Sequence, residues 1–217
     1  GLIRAFDCAV MAAVVDELEA VDDVVLGVNI SGKSARLDSW WTSLFERLAQ
    51  RDVARRLVVE VTETAALATE APAFVTARRA AGCRVALDDF GVGHASLRNA
   101  LALTPDIVKI DAFFLRNATL SERGDRLFRH LVGVAEALAP VVVIEGVETL
   151  AQADLAQEAR SQLAGQWQQG YRFGRPSLWR SWRNRPEHIQ RISLQGLAQR
   201  SAPVFHPGLA ASLGGAV

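Results

Sequence analysis

Residues 85–97 read VALDDFGVGHASL, and the way this stretch presents its two aspartates decides the fold. An apolar, β-branched run leads into Asp88 and Asp89, and Gly91 and Gly93 follow at once. Successive side chains of a strand point to opposite faces, so both acids cannot serve one site from inside a regular strand. They can if the strand ends at Asp88 and the glycines let the backbone turn sharply, with φ > 0. Two carboxylates leaning into one pocket suit divalent metal ions.

Five further runs of the same kind lie along the chain: Val24–Asn29, Leu57–Thr62, Asp106–Ile110, Val141–Glu145 and Gln166–Phe173, with the opening one at Arg84–Asp88. Helical stretches separate them at Leu2–Leu18, Ser39–Gln50, Ala65–Ala81 (closed by Gly82), Ala95–Leu103, Ser121–Leu138 and Leu150–Leu163. This alternation is the signature of βα units on a parallel sheet, and runs that are apolar on both faces fit strands covered by helices. Each run ends in polar groups: Asn29; Glu60 with Glu63; Asp88 with Asp89; Lys109 with Asp111; Glu145 with Glu148; and Gln169. In a (β/α) barrel the carboxyl ends of the strands converge on one face, so residues more than a hundred positions apart would meet in a ring. Polarity returning where solvent begins accounts for one or two such ends, but poorly for four ends that carry acids and two that carry amides.

The chemistry of those ends is that of hard cations. Asn29, Glu60, Asp88, Asp89 and Glu145 offer oxygen ligands for Mg²⁺ or Mn²⁺, and Asp88 can bridge two ions. A pair of ions roughly 3.5–4 Å apart is the arrangement that activates water and stabilises the leaving oxygen in phosphodiester hydrolysis. Lys occurs only at 33 and 109, so 22 of the 24 basic residues are arginines. A lysine at a strand end is therefore notable, because a compact ammonium positions a water or a phosphoryl oxygen where a guanidinium fork does not fit. A structural Lys109–Asp111 pair is the plainer alternative. His94, His130, His188 and His206 are dispersed and read as surface or partly buried residues. Trp40, Trp41, Trp179 and Trp182 read as helix-packing groups, with guanine stacking the minority reading.

Bulk properties bound the rest. The chain has 217 residues, enough for one main domain, and its 24 basic and 24 acidic side chains cancel. It lacks the field that draws in polymeric nucleic acid or anionic lipid, while a small anionic ligand remains compatible. Cys8 and Cys83 have no metal-ligand spacing, which fits a reducing compartment. No apolar run approaches a membrane span and no signal-peptide pattern opens the chain, so a cytoplasmic location is expected. The chain starts at Gly1 and its only methionine is Met11, which reads as a fragment, a processed chain or an excised domain.

Taken together, VNIS at 28–31, EVTET at 60–64, LDDFGVGHASL at 87–97, DIVKID at 106–111, IEGVET at 144–149 and QGYRFGRP at 169–176 resemble the EAL domain of bacterial cyclic di-GMP phosphodiesterases. The matches come in family order and run from Gly1 to about Pro176. The resemblance implies an α/β fold, a modified (β/α)8 TIM-type barrel, and hydrolysis of cyclic di-GMP to linear pGpG with two Mg²⁺ or Mn²⁺ ions. It implies metal ligation by Asn29, Glu60, Asp88 and Asp89, with Lys109 and Asp111 holding metals and attacking water. Glu145 corresponds to the glutamate of metal binding and general base catalysis, Gln169 to a further site residue, and Glu63 and Glu148 to supports of loops. A homodimer and a fused sensory or GGDEF-type domain upstream are expectations of the same kind.

Departures from the family pattern carry their own expectations. The naming Glu-Ala-Leu motif is absent; ELEA at 17–20 lies in a helical run, so the barrel is expected to lack its first strand and have an open seam. Val92, His94 and Ala95 stand where the family has Thr, Tyr and Ser, and the segment between Glu148 and Gln169 is longer than usual. These changes motivate an alternative in which a degenerate domain binds cyclic di-GMP without cutting it, or serves as an interaction module. Domain boundaries are expected at 1–183 for the barrel and 184–217 for a poorly ordered extension.

Overall fold

The alternating runs become six parallel strands with helices packed on one face, in a computed structural model that describes residues 1–31, 34–35, 37–51, 53–62, 71–92, 97–160, 165–178, 180 and 183. The order is α1 (Leu2–Ala20), β1 (Leu26–Ile30), α2 (Ser39–Arg51), a short 3₁₀ turn (Ala54–Arg56), β2 (Leu57–Thr62), α3 (Ala71–Ala81), β3 (Arg84–Phe90) and α4 (Leu97–Leu103). Next come β4 (Ile107–Ile110), α5 (Ala112–Ala118), α6 (Glu122–Leu138), β5 (Val141–Ile144), α7 (Leu150–Glu158) and β6 (Gly165–Gln168). Every strand pairs in parallel with the next in sequence, from β1 through β6. Among the described residues β1 and β6 are therefore the two edges of the sheet.

Strand alternation divides the core. Leu57, Val59, Val61, Val85, Leu87, Val108, Ile110, Val142 and Ile144 join the main apolar cluster with α1, α2 and α6. On the opposite face Val58, Ala86, Ile107 and Val143 form a smaller cluster with Val25, Val141 and Trp167. Burying one such aliphatic side chain is worth about 1.5–3 kcal/mol, so both faces are committed and a one-residue slip of any strand is strongly disfavoured. Trp41 packs fully inside, tilted against Phe45 and edge-on to Phe74, and its indole N–H donates to the Ser34 carbonyl at 2.6 Å. It is a packing residue, as expected; Trp179 and Trp182 lie outside the described residues.

The helices start and stop for local reasons. The Ser121 hydroxyl accepts from the Gly124 N–H at 3.1 Å, Glu122 and Asp125 occupy the positive end of α6, and Phe128, Val132 and Ala135 form its buried stripe. Thr149 and Gln152 make a reciprocal capping box at α7. Gly82 ends α3 with φ +85, as its place after the helical run predicts.

Three sequence expectations are corrected. The strand opening on Arg84 does not end at Asp88 but continues to Phe90, with an irregular register between Leu87 and Phe90. The last run stops at Gln168, and Tyr171–Phe173 form a turn. The helix Ala112–Ala118 was not expected; seven residues are too few for a periodic signal. Of the extension expected at 184–217, nothing falls within the described residues, and the same holds for residues 63–70 and 93–96.

Candidate metal site

Three strands bring their charges to one lysine. Lys109 in β4 donates to Glu60 Oε2 of β2 at 2.8 Å, and its Nζ lies 2.7 Å from Asp88 Oδ1 of β3 and 2.8 Å from Glu145 Oε1 just beyond β5. Lys109, Glu60 and Asp88 are buried and Glu145 is half-buried. An ammonium with three rotatable donors meets three converging acids in a way that a planar guanidinium cannot. Lys109 therefore pairs with these acids rather than with Asp111.

The bulge in β3 answers the question of the adjacent aspartates. Asp88 keeps its regular place on the inner face, opposite Thr62 in register, whereas Asp89 adopts φ +56. A left-handed residue inside a bulge turns its side chain toward the face its neighbour uses, and aspartate tolerates that conformation better than most residues. The carboxylate oxygens of Asp88, Asp89 and Glu145 come within 4.8 Å of one another. The device is thus a kink at Asp89 itself, before the glycines.

Electrostatics show what this set lacks. Burial pushes the Glu145 carboxyl up to about 7, with the Lys109 ammonium opposing and the Asp88 and Glu60 charges adding to the rise. Burial likewise raises Glu60 against the pull of Lys109. Asp89 is raised by burial and by the Asp88 and Asp111 charges. Burial disfavours the Lys109 charge, yet Glu60, Glu145 and Asp88 together outweigh it and raise its pKa. One ammonium faces more negative charge than it neutralises. Asp88 Oδ1 is buried against the Lys109 ammonium. An oxygen-only donor set with surplus negative charge fits a hard divalent cation.

The other expected site residues are distributed around this centre. Asn29 is exposed near the end of β1, in register with Glu60. Asp111 caps α5 by accepting from the Phe113 N–H at 2.7 Å. Gln169 enters through its backbone, donating to Ile144 and accepting from Val147. Glu148 is exposed at the start of α7, with its N–H held by Gln152 Oε1 at 2.8 Å; Glu63 and His94 fall outside the described residues. Gly146, at φ +68, holds the turn after Glu145 so close to α5 that a Cβ there would lie 2.3 Å from that of Ala112.

Two supporting residues escaped the sequence reading. Asp7 is buried on α1, and its Oδ2 accepts from the Ser31 N–H at 3.0 Å, fixing the chain just past β1. Its signal was an acid in helical phase with Met11, Val14 and Leu18. Arg78, fully buried, bonds Asp106 at 2.5 Å and the carbonyls of Cys83 and Thr104, while Asp106 also accepts from Val85 N–H at 2.8 Å. This clamp sets the starts of β3 and β4, the strands that carry Asp88 and Lys109. One arginine among 22 gave no sign of it.

The fold and site define an α/β barrel-type domain with acids gathered around a lysine at the carboxyl ends of its strands. Residues 1–176 match the EAL domain family, and the chain belongs to it. An uncharacterised signalling protein of Caulobacter vibrioides is 33% identical over 82% of this chain and 22% of its own length. The cyclic di-GMP phosphodiesterase PdeF of Escherichia coli is 30% identical over 69% of this chain and 20% of its own. The chain therefore spans about a fifth of the length of these curated relatives. BlrP1 of Klebsiella pneumoniae, solved as a complex with calcium and cyclic di-GMP, superposes with a TM-score of 0.68 at 27% identity, covering 80% of this chain and 44% of that one. LapD of Vibrio cholerae, an S helix–GGDEF–EAL structure bound to cyclic di-GMP, gives 0.62 at 26% identity over 72% and 39%. No helix among the described residues is long and apolar enough to cross a membrane.

Proposed function

We propose that this chain is a metal-dependent phosphodiesterase domain that opens cyclic di-GMP to linear pGpG. The observation that carries the reading is the convergence of Glu60, Asp88 and Glu145 on Lys109, with Asp89 turned toward the same face by the β3 bulge. Asp88, Asp89 and Glu145 would hold Mg²⁺ or Mn²⁺, with Glu60, Asn29 and Asp111 completing the oxygen set of a two-ion site. Ions bound there supply Lewis-acid stabilisation of phosphoryl charge and acidify an attacking water. Lys109 keeps the three acids together and turns its positive charge toward the phosphoryl group. Glu145, half-buried at the edge of the cluster, is placed to accept the proton of the attacking water. Gln169, whose N–H donates to the Ile144 carbonyl next to Glu145, orients substrate, and Glu148 supports the turn into α7. The family membership and the phosphodiesterase PdeF support the same substrate. In this reading the domain, bounded near residue 183, works in bacterial second-messenger signalling beside further domains.

A receptor that binds cyclic di-GMP without cutting it is the second reading. It is favoured by the engagement of Asp111 as the cap of α5 and by the limit of the tightest cluster to three carboxylates, Asp88, Asp89 and Glu145. Incubation with cyclic di-GMP and Mn²⁺, followed by chromatography, separates the two. Formation of pGpG that stops on chelation supports the enzyme; tight binding without product supports the receptor.

A further inference from the structure

Gly27 is the second of the five residues of β1, and its backbone gives no reason for a glycine. The strand is regular across it, pairing Leu26–Ile30 with Leu57–Val61, and Gly27 is absent from the positive-φ glycines. A strand-interior glycine forfeits side-chain packing and costs conformational entropy, and it commonly marks a place where another group comes close. The group here is Glu60. A Cβ built on Gly27 would lie 2.0 Å from Glu60 Oε1 and 3.1 Å from its Cδ. The register partner of Glu60 is Asn29, and that of Gly27 is Val58, so the carboxylate leans diagonally back into the space that a side chain at 27 would fill.

Glu60 cannot simply step aside. Its second oxygen holds Lys109 Nζ at 2.8 Å, that ammonium is shared with Asp88 and Glu145, and the Glu60 residue is buried. We propose that Gly27 is the positioning residue of this site: its missing side chain is the notch that seats the Glu60 carboxylate against Lys109. A larger residue at 27 drives Glu60 out and loosens the acids gathered around the lysine. The proposal rests on the reading of Glu60 as part of the cation site, but its first test does not.

The test is a double-mutant cycle on the full chain in chelator, read as the thermal melting midpoint of wild type, Gly27→Ala, Glu60→Ala and the double variant. Gly27→Ala is expected to lower the midpoint in the wild-type background, and to leave it unchanged or raise it when Glu60 is already alanine, because the notch is then vacant. Equal loss in both backgrounds would make Gly27 an ordinary packing position and overturn the proposal. Mn²⁺ titration followed by electron paramagnetic resonance reads the site directly. Gly27→Ala is expected to weaken Mn²⁺ binding by about tenfold or more, the usual cost of losing a ligand's support. The shorter carboxylate of Glu60→Asp, combined with Gly27→Ala, is expected to restore part of that loss. Wild-type affinity in Gly27→Ala would contradict the proposal. Failure of the wild type to form pGpG would sink the phosphodiesterase reading and leave the melting cycle intact.

Discussion

Lys109 does its work as a point charge. Three acids from three strands converge on one Nζ at 2.7–2.8 Å, and removing the ammonium leaves buried carboxylates facing one another. Lys109→Met is expected to destabilise the metal-free protein by about 3–5 kcal/mol, the usual cost of breaking a buried ion pair from one side. Urea denaturation in chelator measures this, and a loss below about 1 kcal/mol would mean that water already screens the cluster. Lys109→Arg is not expected to rescue, since a planar fork cannot satisfy three convergent acceptors. A lysine at an apolar strand end, in a chain that otherwise uses arginine, marked Lys109 as a candidate, with a structural Lys109–Asp111 pair as the alternative. Which acids it meets was not legible, because Glu60 and Glu145 are 85 residues apart and only the packed sheet decides that they converge.

At the scale of elements, the Arg78–Asp106 clamp and the helix caps carry separable parts of the stability. Asp106 is 37% exposed while Arg78 has no exposure, so loss of the arginine leaves an acid that can rehydrate. Arg78→Met is therefore expected to cost about 1–3 kcal/mol, and adding Asp106→Ala should cost less than the sum of the two single changes. Additive losses would show that the two residues act independently. Ser121→Ala removes the α6 cap and should cost about 1 kcal/mol, with Ser121→Asp close to neutral; unchanged denaturation of Ser121→Ala would show that water caps the helix equally well. The bounds of β2, Leu57–Thr62, follow directly from its β-branched run. The β3 bulge was illegible, since a positive φ at Asp89 is imposed by packing and leaves no mark on composition. The helix after Asp111 did leave one, an aspartate at a helix start, but that residue was claimed for the site.

At the scale of the molecule, the parallel sheet brings the sequence-distant ends of β2, β3, β4 and β5 into one acidic cluster around Lys109. Surplus negative charge in that cluster couples cation binding to the stability of the fold. Mn²⁺ at about 100 times its dissociation constant should stabilise the protein by about 2.7 kcal/mol per site, seen as a rise in melting temperature that chelator reverses. The absence of a rise would count against a cation site. The parallel sheet and the meeting of Glu60, Asp88, Lys109 and Glu145 were readable from the βα alternation, because a parallel sheet places every carboxyl end on one edge. The central claim is that this cluster catalyses metal-dependent cleavage of cyclic di-GMP. Its most direct test is chromatographic measurement of pGpG formed by wild type and by Glu145→Gln at saturating Mn²⁺, with cyclic di-GMP binding measured on both. The account predicts product from the wild type alone and retained folding and nucleotide binding in the variant; equal turnover by the two proteins would contradict it.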